Sequence, residues 1–117
     1  MWVQYKVVKK VAQKDKQIAR NFLPEEELTL TDPCAVPIVF HEKKGQILKL
    51  LIEKEMTIID LKHATGMNPG TVKRHLDDLL QYDLILIAKE QLSEYSIMMK
   101  FYRAKAKKIS FNINWPT

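Results

Sequence analysis

The sequence predicts an α+β fold, a three-helix core followed by a β-hairpin, and three observations carry that expectation. Apolar residues recur at helical spacing in three consecutive stretches: Ile47, Leu48, Leu51 and Ile52; Ile58, Leu61 and Ala64; Val72, Leu76, Leu79 and Leu80. Residues with capping chemistry separate the stretches, with Thr57 ahead of the second, Gly66 after it and Asn68-Pro69 ahead of the third. Two segments rich in β-branched and aromatic residues follow, 84–88 and 95–103.

Taken from the N-terminus, Val3, Tyr5 and Val7 alternate and allow a short leading strand. Val8, Val11, Ala12, Ile18, Ala19 and Phe22 then predict a helix over about residues 8–22. Residues 23–41 hold Pro24, Pro33 and Pro37 and the acidic run Glu25, Glu26 and Glu27, so they read as a connector with little regular structure. Within it, Asp32-Pro33 is a helix-start signal, which Pro37 limits to about a turn. The first core helix spans about residues 41–54, although Gly45 weakens it. Thr57 with Asp60 three residues on approximates a capping box, and Gly66 suits the left-handed end of that short helix. The hairpin has a polar tip at about residues 89–93. Ile109, Phe111, Ile113 and Trp115 alternate and predict a half-buried C-terminal strand. The implied organisation is a basic N-terminal helical extension and acidic connector (1–31), a helical and hairpin domain (32–104), and a basic C-terminal strand or tail (105–117).

A chain of 117 residues fits one domain. No apolar run approaches the ~18–20 residues of a membrane span, and the start at Met1 lacks the pattern of a secretory signal, so the expected compartment is the cytoplasm, associated with the nucleoid. The single Cys34 excludes an internal disulfide. The net charge of +5 is unevenly spread. Residues 1–20 carry six basic side chains against one acid, residues 100–108 carry five against none, and residues 42–99 hold eight basic and nine acidic. A polyanion would be drawn mainly to the ends, unless the cationic ends serve only solubility.

Helix, short helix, four-residue turn, helix, hairpin is the winged helix-turn-helix order, here with an added N-terminal helix and C-terminal strand. The turn Thr65-Gly66-Met67-Asn68 lets two helices cross at a steep angle. The second of them can then enter the major groove by its N-terminal end. Gly70 and Thr71 are small enough for close approach, and Lys73 and Arg74 can reach phosphates or guanine edges.

Residues 57–80 resemble the helix-turn-helix of ArsR-like archaeal and bacterial transcriptional regulators. Val72-Lys73-Arg74-His75-Leu76 is similar to that family's recognition helix. Asp83-Leu84-Ile85 stands where the family has Gly-Leu-Val leading into the wing, and Lys100-Phe101-Tyr102-Arg103 is similar to the end of its second wing strand. Asp32-Pro33 before Ile47-Leu48-Lys49-Leu50-Leu51 is similar to the lead-in of archaeal members. The resemblance covers about residues 32–104 and implies a winged-helix fold, double-stranded DNA binding and a homodimer. Two departures stand out. Cys34, His41, His63 and His75 lack metal-ligand spacing, so metal sensing is not carried over and no metal or other cofactor is expected. Asp83 replaces the usual glycine, a turn that relies on the tolerance of Asp for the left-handed region.

The residues expected at a DNA interface are Thr57, Asn68, Gly70, Thr71, Lys73, Arg74, His75, Lys89, Arg103 and Lys105. Each has a plainer alternative. His75 reads better as a partly buried structural histidine than as a phosphate ligand. Lys73 and Arg74 could be a solvated face, but their place in the motif favours DNA. Lys89 is the one basic residue near the expected wing tip, with Glu90 and Glu94 beside it, and Lys105 could serve only solubility. Trp2, Tyr5 and Trp115 read as core or dimer contacts, and Met98-Met99 as core filler. No phosphate loop, carboxylate pair or nucleophile-base motif suggests an enzyme. The leading expectation is a sequence-specific, homodimeric transcriptional regulator. A winged-helix protein-interaction module and a non-specific, chromatin-like DNA binder are the alternatives.

Overall fold

The computed structural model describes residues 22–114 and 116. The expected helix over residues 8–22, the leading strand and the contacts expected of Trp2, Tyr5 and Trp115 lie outside them, except for Phe22. Among the described residues the chain runs β1 (Leu28–Leu30), a 3-10 turn (Pro33–Ala35), α1 (Val36–Val39), α2 (Glu42–Glu53), α3 (Ile58–Thr65), α4 (Pro69–Gln81), β2 (Ile85–Leu92), β3 (Met98–Ala104) and β4 (Ile109–Phe111). No helix among them is long and apolar enough to cross a membrane.

The three main helices begin where side chains cap them. His41 Nδ1 accepts from the Lys43 and Lys44 amides at 3.1 and 3.2 Å to start α2. Thr57 and Asp60 form the full reciprocal box at α3, at 3.0 and 3.1 Å. Asn68 Oδ1 accepts from the Thr71 amide at 2.9 Å, with Pro69 opening α4. Helix α3 stops at Gly66, whose φ of 78° is left-handed. Helix α4 ends in a Schellman pair: the Leu84 amide donates to the Leu79 carbonyl and the Asp83 amide to that of Leu80. Asp83 takes φ 60° there, so it does occupy the glycine position. Gly45 has a packing reason, since a Cβ on it would lie 2.7 Å from the Val39 carbonyl oxygen.

The core sits where α2, α3, α4 and the wing base meet. Ile47, Leu51, Leu61, Val72, Leu76, Leu79 and Leu84 are wholly buried, and Ile85, Tyr102 and Ala104 close the hairpin side. Burying side chains of this size contributes roughly 1.5–3 kcal/mol each. Only Leu61 of the expected α3 stripe is fully buried; Ile58 is half-buried and Ala64 is exposed.

β2 and β3 pair antiparallel from Ile85↔Ala104 to Leu92↔Met98, with a bulge at Ala88. Met56 exchanges both backbone hydrogen bonds with Tyr102, at 2.9 and 3.0 Å, and ties the α2–α3 link to the wing. The wing is longer than the sequence suggests. Residues 89–92 continue the strand, and the tip is residues 93–97, where Ser93 Oγ accepts from the Tyr95 and Ile97 amides.

The largest correction concerns the connector. Residues 28–30 form a strand that pairs in parallel with β4, Leu28 opposite Ile109 and Leu30 opposite Phe111. The prolines flank this strand and do not interrupt it, so the backbone amides remain available. The C-terminal strand exists but is three residues long, ending before Ile113. Phe111 stacks on Phe40 with ring centroids 5.5 Å apart, which seats the strand pair against the end of α1.

Candidate nucleic-acid interface

The face available for a duplex is the outer side of α4. Val72, His75, Leu76 and Leu79 turn inward, which leaves Pro69, Gly70, Lys73, Arg74 and Asp77 exposed and Thr71 half-exposed. A methyl at Gly70 would meet only Asn68 Oδ1, at 3.4 Å, so the position is open toward solvent. Arg74 has no ion-pair partner among the described residues. Lys73 Nζ lies 2.7 Å from Asp77 Oδ1, and this hydrogen bond raises the lysine's pKa and keeps it cationic. The pair is exposed and one helical turn apart, so it holds the amine loosely. Pro69 has no amide hydrogen and the Thr71 amide is taken by Asn68, so Gly70 is left with the free amide of the first turn of α4.

Other expected residues have structural work. The Thr57 side chain is 4% exposed and committed to its capping box. Arg103 crosses from β3 to the end of α2, where Nε donates to the Leu51 carbonyl at 3.0 Å and a terminal nitrogen donates to those of Ile52 and Glu53. A cation among the last carbonyls of a helix also suits its dipole. His75 is 8% exposed and its Nδ1 has no hydrogen-bond partner among the described residues. Its ring lies 5.4 Å from that of His41. Burial, then Lys44, His41 and Arg74, push its pKa below the usual 6.5, so it is neutral at physiological pH.

The wing and the tail offer fewer free cations than the sequence implies. Lys89 lies within β2, not at the tip; its amine sits 2.9 Å from Glu55 and 4.6 Å over the Phe101 ring. The tip itself is apolar and acidic, with Leu92, Tyr95, Ile97 and Met98 all more than half exposed. Met98 is therefore not core filler. Lys105 pairs with Asp83 at 3.1 Å, and Lys107 with Glu26 at 3.1 Å across the β1–β4 pair. The acidic connector thus neutralises part of the basic tail. Sequence reasoning missed two caps: His41, whose partners are local but whose imidazole is not among the usual capping side chains, and Arg103, whose partners only the tertiary fold brings near.

Capped helices joined by a glycine turn, an outward helix with basic residues near its start and a flanking hairpin together define a winged helix-turn-helix fold. Residues 41–85 match the family model for the bacterial regulatory proteins of the arsR family, and the resemblance to ArsR-like regulators holds over that segment. Among solved structures the fold is similar to reduced HlyU from Vibrio cholerae, with 22% identity and a TM-score of 0.51 over 59% of this chain and 66% of that one. It is also similar to a second HlyU structure from that organism, at 19% identity and TM-score 0.48 over 59% of this chain and 68% of that one. A third is a homodimeric winged helix-turn-helix DNA-binding domain from Mycobacterium bovis, a possible ArsR-family transcriptional regulator. It shares 24% identity at TM-score 0.47, covering 60% of this chain and 59% of that one. The chain thus spans just under two thirds of the first of these structures. No curated protein matches the sequence.

Proposed function

We propose that the protein is a sequence-specific transcriptional regulator that binds double-stranded DNA as a homodimer. The observation that carries this reading is the exposed start of α4, where Gly70, Thr71, Lys73 and Arg74 stand clear of the core. In this reading the helix enters the major groove by that end, and Arg74 is the base reader because no acid holds it. Lys73 leaves Asp77 for a phosphate, and Lys105 and Lys107 leave their exposed partners for the flanking backbone. Asn68 shapes the helix start, while Thr57, His75 and Arg103 position the motif from within. Lys89 stiffens the wing. In a dimer the two recognition helices would lie ~34 Å apart, one DNA turn.

A duplex titration with genomic and random sequences tests the reading. Arg74→Ala is expected to cost ~1–3 kcal/mol on the preferred sequence and to relax preference. Lys107→Ala should weaken all sequences alike and lower the salt slope by about one. The reverse pattern would assign specificity to the tail. Steep salt dependence without preference would mean a chromatin-like binder. Light scattering that finds only monomer at micromolar concentration would remove the dimer. The acidic, apolar wing tip supports a second reading, a protein-interaction module, which complete absence of DNA binding at low salt would favour.

A further inference from the structure

Between the wing and the start of α3 runs an open groove of about 430 Å³. Ile58 and Ile59 form one wall, Ile97, Met98 and Met99 the other, and Tyr102 lies at the base. Ile59, Ile97 and Met98 are 50%, 62% and 51% exposed, an unusual amount of bare aliphatic surface in one place. The charged side chains that line it are Lys73, which also holds its exposed bond to Asp77, and Lys100, with no acid among the lining residues. Lys100 has no ion-pair partner among the described residues. Duplex DNA would use the two lysines but gain nothing from the aliphatic walls, since its outer surface is phosphate and sugar. The volume falls within the range of small-molecule sites.

We propose that this groove binds a small amphipathic carboxylate, its apolar tail between Ile59 and the Ile97–Met98 wall and its head on the Lys73 and Lys100 ammonium groups. The ligand bridges recognition helix and wing. On the reading proposed above, it therefore takes Lys73 away from phosphate and weakens DNA binding; occupancy of the groove itself does not depend on that reading.

The test uses the full chain and octanoate, kept below its micelle concentration, with methyl NMR of the methionines as readout. Saturable shifts of the Met98 and Met99 methyls are expected, with octanol at least tenfold weaker and Lys100→Gln weakening octanoate severalfold. Ile97→Glu should abolish binding while the buried Met56 methyl keeps its position, which shows the fold intact. No saturable shift, equal affinity for octanol, or binding undisturbed by Ile97→Glu would overturn the site. An acidic amphipathic peptide that binds where octanoate does not would also overturn it. Octanoate bound in the groove with DNA affinity unchanged would overturn the regulatory half. Failure to bind any DNA would count against the DNA reading and leave the groove standing.

Discussion

Gly66 does one job, and its surroundings show which. Nothing lies within 4 Å of a Cβ built on it, so Gly66→Ala meets no clash. The substitution meets only the left-handed backbone, and a loss of ~1–2 kcal/mol in denaturant unfolding is expected, with Gly66→Asn losing less. His75 carries a pH dependence with a definite sign. Above 6.5 the imidazole is neutral in both folded and unfolded chains. As pH falls below 6.5 the unfolded chain takes up a proton that the folded chain refuses, until the lower folded pKa is reached. Stability should therefore fall through that window, and thermal melts of His75→Gln should show a flatter slope there than the parent. Asp83 and Gly66 were both readable from sequence, because turn chemistry depends on the residue itself. The role of Arg103 was not, since three carbonyls about fifty positions earlier are its partners.

At the scale of elements, the helices were legible because each carries its own boundary signals. Thr57, Asp60, Gly66, Asn68 and Pro69 fall where the expected helices begin and end. The strands were less legible. Residues 89–92 look polar enough for a turn, yet they pair with residues 98–101, and only cross-strand register reveals it. The strand at residues 28–30 is too short to show alternation at all. The candidate interface was half legible: Gly70, Lys73 and Arg74 are exposed and Thr71 half-exposed, while the wing cation was placed too near the tip. One consequence concerns how wing and helices are joined. Arg103 fastens β3 to the end of α2 through partly buried hydrogen bonds. Arg103→Ala is expected to lose ~1–3 kcal/mol by thermal or denaturant unfolding, and Arg103→Lys to recover only part, because an ammonium lacks the fork of donors.

For the whole molecule, charge counted along the chain overstated the basic character of its surface. Lys105, Lys107 and Lys89 all have acidic neighbours in the fold, from Asp83, Glu26 and Glu55. Glu26 and Lys107 are 81 positions apart, so no sequence window could have paired them. On the recognition helix Arg74 alone keeps no acidic partner among the described residues, since Lys73 is held by Asp77.

The pairing of β1 with β4 also sets an order in time. Its partners flank the entire helical domain, so the strands can meet only after a very long loop has closed, or after the helices have shortened the distance by folding. Each strand has three residues, and burial along both is partial. The pair is therefore expected to assemble last and open first, as a unit separate from the three-helix core. Native-state hydrogen exchange should find the Leu28 and Asn112 amides exchanging through a low-energy opening, while those of Val72 and Leu84 wait for global unfolding. Equal protection at all four would mean that β1 and β4 fold as part of the core.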